Sequence, residues 1–215
     1  MTLRDYAGLI KCLPYKEQAF ETKKSTWHRE CRANQLFNNY CESIFTGDLL
    51  KLSRQDLFRS ANKGFEQGLF SIILWGYPRN MRGNSFLTIL NSLESIRPFF
   101  SNNKSLTQDD FCTMLEKLKG THIGLSTISK ALYFFQFTID NKQCLILDSR
   151  IIEVINGKVF SELAPIGRIT EFNKPHRYNQ YLNEISIIAE NFKCQPDQVE
   201  QFLFLFGKNL KKEVK

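Results

Sequence analysis

One constraint recurs in segment after segment of this chain: apolar residues at helical spacing, cut short by glycine or proline. Trp27, Cys31, Leu36 and Tyr40 follow it before Gly47, and Phe86, Ile89, Leu90, Leu93 and Ile96 follow it before Pro98. After Pro175 come Tyr178, Tyr181, Leu182, Ile185, Ile188 and Ala189; Phe65 to Trp75 is stopped by Gly76 and Pro78; Gln198 to Leu205 is closed by Gly207. Residues three and four apart share one helix face, and proline or glycine interrupts it. Ser53-Arg-Gln-Asp56 and Thr107-Gln-Asp-Asp110 read as helix starts, each with an acid placed to complete a capping box. About eight helices with short breaks predict a mostly α fold of packed helices, with strand pairing confined to the N-terminus.

Composition then excludes several classes. At 215 residues and 42% hydrophobic, the chain can bury a large core without a disulfide or metal staple. Its most apolar stretch, Gly68 to Trp75, is far short of the ~20 residues that cross a bilayer. Met-Thr-Leu-Arg-Asp-Tyr at the start lacks the basic and apolar regions of a signal peptide. The expectation is a soluble, intracellular (cytoplasmic) protein with no membrane partner. Cys12, Cys31, Cys41, Cys112, Cys144 and Cys194 form no close pair, and His28, His122 and His176 stand far apart, so neither a metal nor another cofactor is expected. Ser126 and Ser129 have no neighbouring His and acid, which argues against a hydrolase triad. The balance of 29 Lys and Arg against 22 Asp and Glu, +7, favours a polyanionic partner. The Lys-rich stretch from Lys208 to Lys215 reads as a solvated helix end that adds salt-sensitive attraction to nucleic acid.

Chemistry concentrates between Leu115 and Arg150. Leu118-Lys119-Gly120-Thr121-His122-Ile123-Gly124 puts glycines where the chain must turn between two close helices. The backbone N–H groups of such a turn, beside the N-terminus of the Leu125 helix, suit a phosphate. Lys119, Gly120, His122, Gly124, Ser126, Thr127 and, further on, Arg150 are therefore the candidate DNA contacts. Asp148 follows an apolar run, Cys144-Leu-Ile-Leu147, and precedes Ser-Arg-Ile-Ile; it reads as the N-cap of a short helix, which holds a carboxylate ionised. Trp75-Gly-Tyr77-Pro-Arg79-Asn-Met-Arg82-Gly-Asn84 is the strongest loop signal. Its aromatics could stack on a base and its arginines contact guanine or phosphate, so Trp75, Tyr77, Arg79 and Arg82 are candidate base-pocket residues.

These motifs, Ile123-Gly124-Leu-Ser-Thr-Ile-Ser-Lys130 followed by Leu145-Ile-Leu-Asp148-Ser-Arg150, resemble the helix–hairpin–helix Gly/Pro–Asp superfamily of DNA glycosylases. The nearest likeness is to its 8-oxoguanine DNA glycosylase-like branch. The resemblance implies a two-lobed helical fold with a central cleft for DNA and the extruded base, and Asp148 as the catalytic aspartate. The chain departs from the pattern in three places. The first hairpin glycine is either replaced by His122 or displaced to Gly120, and no proline precedes Asp148. The family's nucleophilic lysine, two residues after the second hairpin glycine, is Ser126 here. Lys130 lies one turn further along the same helix face and is the candidate amine nucleophile.

The resulting expectation is one glycosylase-like unit over 1–215. It divides into an N-terminal arm or hairpin (1–24), a helical lobe with the Trp75 loop (25–106), the hairpin and Asp148 segment (107–156) and C-terminal helices packing back on the core (157–215). Its partner is DNA, as a duplex with an extruded base or as a single strand. Its activity is release of a damaged or modified purine, plausibly 8-oxoguanine, with strand cleavage depending on Lys130. A non-catalytic helix–hairpin–helix module of a larger complex is the alternative, and action on RNA or free nucleosides stays open.

Overall fold

The computed structural model describes residues 1–83, 85–101 and 103–210; Asn84, at the end of the Trp75 loop, and residues 211–215 of the Lys-rich tail lie outside them. Helices dominate, as expected: α1 (Ala7–Lys11), α2 (His28–Ala33), α3 (Gln35–Ile44), α4 (Arg54–Lys63), α5 (Phe65–Gly76), α6 (Ser85–Asn91), α7 (Leu93–Ile96), α8 (Pro98–Ser101), α9 (Gln108–Lys117), α10 (Leu125–Phe134), α11 (Ser149–Asn156), α12 (Lys174–Phe192) and α13 (Pro196–Phe202). The helical stretch expected from Ser25 to Gly47 divides at Asn34, which is extended and caps α3 by accepting a hydrogen bond from Phe37 N. Both capping boxes form: Ser53 and Asp56 cap α4, and Thr107 and Asp110 cap α9.

Strand pairing is not confined to the N-terminus. There, β1 (Ala19–Lys23) pairs antiparallel with β2 (Leu49–Ser53), Ala19 opposite Ser53. A second sheet joins β3 (Ser105–Leu106), β4 (Thr138–Ile139) and β5 (Lys142–Gln143), with β3 parallel to β4 and β4 antiparallel to β5. Asp140 and Asn141, both at positive φ, make the two-residue turn that a tight hairpin requires. These strands are two residues long, too short for an alternating pattern to register in a sequence.

The core is built around α5 and α10. Gly68 through Trp75 is buried on every side, and so is Thr127 through Phe134. Such all-round apolar helices must be surrounded by others. Here α5 packs against both α4 and α10, which also touch each other, and Gly68 makes the close approach possible. A Cβ at Gly68 would lie 2.6 Å from Phe135 Cζ and 2.8 Å from Ala61 Cα. Because α5 carries Trp75 and α10 carries Lys130, this contact also sets the spacing of the candidate site. Overpacking costs about 1–3 kcal/mol and outweighs the ~1 kcal/mol of helix propensity that alanine adds. Gly68→Ala should therefore lower the urea midpoint at unchanged slope, a net destabilisation of up to about 2 kcal/mol. An unchanged midpoint would show that α4, α5 and Phe135 yield without cost.

Candidate active site

The position of Asp148 follows from the segment before it. Cys144 to Leu147 is buried and irregular, so its backbone polar groups need partners that a strand or helix would have supplied. Side chains provide them. Tyr178 Oη donates to Leu145 O (2.7 Å), Tyr181 Oη donates to Ile146 O (3.0 Å), and Leu147 N donates to Ser129 Oγ (3.1 Å). Asp148 then caps α11, its Oδ1 accepting from Arg150 N (3.0 Å) and Ile151 N (3.1 Å). Oδ2 takes no hydrogen bond among the described residues, so one carboxylate oxygen is held by the helix and the other is available.

Lys130 is 5% exposed on α10. Its Nζ donates to Ser126 Oγ (2.7 Å) and Ser126 O (3.1 Å) and sits 5.3 Å from the centre of the Tyr77 ring. Among the described residues no carboxylate forms an ion pair with it. The two residues converge on one pocket of about 240 Å³, lined also by Gln18, Phe20, Arg54, Trp75, Gly76, Ile146, Glu200 and Phe204. Gly76 leaves room for the lysine: a Cβ there would lie 3.0 Å from Lys130 Cδ.

The pocket floor is charged and its charged side chains are buried. Arg54 Nη1 meets Glu200 Oε2 at 2.6 Å, with both side chains buried, and Arg54 Nε donates to Gln18 Oε1 at 2.8 Å. The Arg54 guanidinium also faces the Trp75 and Tyr133 rings at 5.7 and 5.4 Å. Burial pushes the Glu200 carboxyl up to about 7 against the pull of Arg54, and Asp197 and Asp148 add to the rise.

The hairpin stands at the start of α10. Gly120 (φ 89°) and His122 (φ 61°) are both left-handed. The sequence left open whether the turn's freedom had moved to Gly120 or been taken by His122; the backbone uses both. The backbone N–H groups of His122, Gly124, Leu125 and Ser126 make no hydrogen bond among the described residues. Lys119 is exposed and paired with Glu116. His122 is exposed, its Nδ1 3.4 Å from Ser85 Oγ. Ser126 spends its hydroxyl on Lys130. Thr127 is buried and shares a 2.7 Å hydrogen bond with Tyr77 Oη, so its side chain faces the interior and not the hairpin surface.

The four residues of the expected base pocket separate. Trp75 lines the pocket, packed edge-on against Phe20 at 5.0 Å. Tyr77 lies under Lys130 and positions it. Arg79 and Arg82 are exposed on the following loop, outside the pocket lining, while Arg150 is at the pocket rim over Phe204, 5.1 Å from its ring centre. Gln18, Phe20, Arg54, Glu200 and Phe204 were not singled out by the sequence. Arg54 and Glu200 each fall on a capped or Pro-started helix, where a charge ordinarily reads as a solvated face; only the three-dimensional packing pairs them.

A larger cleft of about 570 Å³, lined by Tyr15, Arg59, Gln136 and Asp197 among others, contains neither Asp148 nor Lys130. Among the described residues no group of three His, Cys, Asp or Glu side chains could hold a metal, all six cysteines are free, and no helix is long and apolar enough to cross a membrane. In comparison with known proteins, a family model described as "Putative 8-oxoguanine DNA glycosylase OGG-like protein" matches residues 14–204. No curated protein and no solved structure matches.

Glu200 makes stability pH-dependent. A carboxyl that titrates near 7 when folded, against an ordinary 4.5, binds more protons folded than unfolded between those values. Its contribution is full below about pH 4.5 and is lost as pH rises through about 7. Urea unfolding of the chain and of Glu200→Gln between pH 5 and 8 should show the unsubstituted chain losing stability relative to the variant. Parallel profiles would place the carboxyl's titration outside that range.

Proposed function

We propose that this chain, which belongs to the OGG-like family of DNA glycosylases, excises a modified purine from DNA with Asp148 and Lys130 acting on one extruded nucleotide. The observation that carries the reading is the convergence of these two side chains on a single pocket beside a hairpin with free backbone N–H groups. The hairpin grips a phosphate, assisted by the net charge of the chain. The base leaves the stack and enters the pocket that Phe20, Trp75 and Phe204 line, at the expense of unpairing and unstacking.

Cleavage of the glycosidic bond leaves electron deficiency on C1′. Asp148 Oδ2, held by the helix through its other oxygen, faces that developing positive charge. The Lys130 amine, steered by Ser126 and Tyr77, bonds to C1′ as the base departs with the glycosidic electron pair; the base takes up a proton, and the amine gives up one. Opening of the sugar ring then gives an imine that permits β-elimination of the 3′ phosphate. Lys130 does the work the family assigns to a lysine one turn earlier, and Ser126 at that earlier position becomes its hydrogen-bond partner.

Single-turnover release of 8-oxoguanine from a duplex tests these roles. Asp148→Asn should slow release by about 10²–10³-fold with DNA affinity largely retained, and Lys130→Ala should abolish strand nicking. Unchanged release by the Asp148 variant would leave a DNA-binding module without this chemistry.

A further inference from the structure

The cleft of about 570 Å³ that excludes Asp148 and Lys130 has the size of a small-molecule site. A buried acid stands on its lining. Asp197 is 3% exposed, accepts a hydrogen bond from Tyr133 Oη at Oδ1, and forms no ion pair among the described residues. Its Oδ2 accepts no hydrogen bond there either, yet is not sealed in. Buried carboxylates are ordinarily paired or fully hydrogen-bonded. This one lacks a donor, and the cleft is the side from which a donor can arrive.

The rest of the lining is graded from apolar and uncharged to cationic. Gln55, Phe58, Arg59 and Asn62 recur at helical spacing and give the cleft one face of α4. Gln136 and Gln143 add two more carboxamides. Tyr15 and Phe58 are half-buried and offer ring surface to a flat ligand. Burial, with Asp197 nearby, pushes the Tyr15 phenol up, so its hydroxyl stays protonated. Lys16 and Arg59 are exposed at the cleft; Lys16 forms no ion pair among the described residues, and Arg59 stands 3.5 Å from Asp56. The acceptor is thus buried and the cations lie at the solvent side.

We propose that this cleft binds an adenine nucleotide, its 6-amino group donating to Asp197 Oδ2 and its phosphate held by Lys16 and Arg59. A simple cation would answer Asp197 but be repelled by Lys16 and Arg59, and a simple anion would leave Asp197 without a donor. A ligand with a donor at one end and an anion at the other satisfies both. The carboxamides choose among the bases: Asn and Gln pair bidentately with the 6-amino group and N7 of adenine, whereas guanine is the partner of Arg and Lys. The 6-amino group carries two hydrogens, one for the carboxylate and one for a carboxamide oxygen. In hypoxanthine an oxygen takes its place, and its lone pairs would face Asp197. Tyr133 Oη, which holds the acid, lies 3.4 Å from Arg54 Nη1 on the lining of the Asp148 pocket, so one hydroxyl stands between the two sites. The cleft needs no glycosidic chemistry, and its occupancy is read without turnover.

The test is titration calorimetry of the full chain with AMP, IMP, adenosine, ribose 5-phosphate and a short oligodeoxyadenylate. AMP should bind at least about 5-fold more tightly than IMP. Asp197→Asn, which keeps an acceptor for Tyr133, should weaken AMP by about 10-fold and ribose 5-phosphate by less than about 2-fold. Lys16→Ala combined with Arg59→Ala, both on the surface, should weaken AMP by about 10-fold and adenosine by less than about 2-fold, since adenosine has no phosphate to lose. AMP binding that both variants leave unchanged would place the nucleotide elsewhere and overturn the proposal, as would equal affinity for AMP and IMP or no binding of AMP. Binding of the oligodeoxyadenylate through these same residues with AMP excluded would make the cleft a strand contact and overturn it too.

Discussion

Four residues of buried, irregular chain, Cys144 to Leu147, carry the arrangement on which the rest depends. A backbone without secondary structure inside a protein is tolerated only if its polar groups are satisfied. Here Tyr178 and Tyr181, successive turns of one long helix, bond the carbonyls of Leu145 and Ile146, and Ser129 of α10 takes the Leu147 amide. These bonds tie three elements together at the point where α11 begins. Asp148 inherits its position from them, and because Ser129 neighbours Lys130, the same bonds register the aspartate against the lysine. Precision at a reacting centre of this kind comes from the supporting shell, not from the reacting groups.

The second determinant is the buried ion pair of Arg54 and Glu200. Removing charges from water is costly, and a buried pair seldom adds to stability over apolar residues of the same shape. The Arg54–Glu200 pair forms part of the lining of the pocket that holds Asp148 and Lys130. It sets a fixed pair of buried charges close to the aromatic walls, where electrostatic interactions are little screened. The rise of the Glu200 carboxyl to about 7 is the other face of that cost, burial outweighing the pull of Arg54.

Much of the fold was legible because its signals are local. Capping boxes at Ser53 and Thr107, breaks at Gly47, Gly76 and Pro98, and the proline-started helix after Pro175 each follow from a few neighbouring residues. Asp148 as an N-cap was legible for the same reason. The β3–β5 sheet was not, since two-residue strands carry no period. The pocket was only partly legible. Trp75 and Lys130 belong to motifs, but Gln18, Arg54 and Glu200 come from three distant segments, and nothing near any of them in sequence signals the others. Tyr77 and Thr127 illustrate the converse: both sit in informative motifs, yet their hydroxyls bond each other and their contribution is to place Lys130.

The displacement of the amine from the family's usual position to Lys130 is the claim on which the mechanism turns, and it can be read directly. A duplex containing 8-oxoguanine, reduced with borohydride during turnover, leaves any imine-forming lysine covalently attached to the sugar, and mass spectrometry of the digested adduct identifies that lysine. The account requires the modification on Lys130. An adduct on any other lysine, or strand cleavage without an adduct, would contradict it.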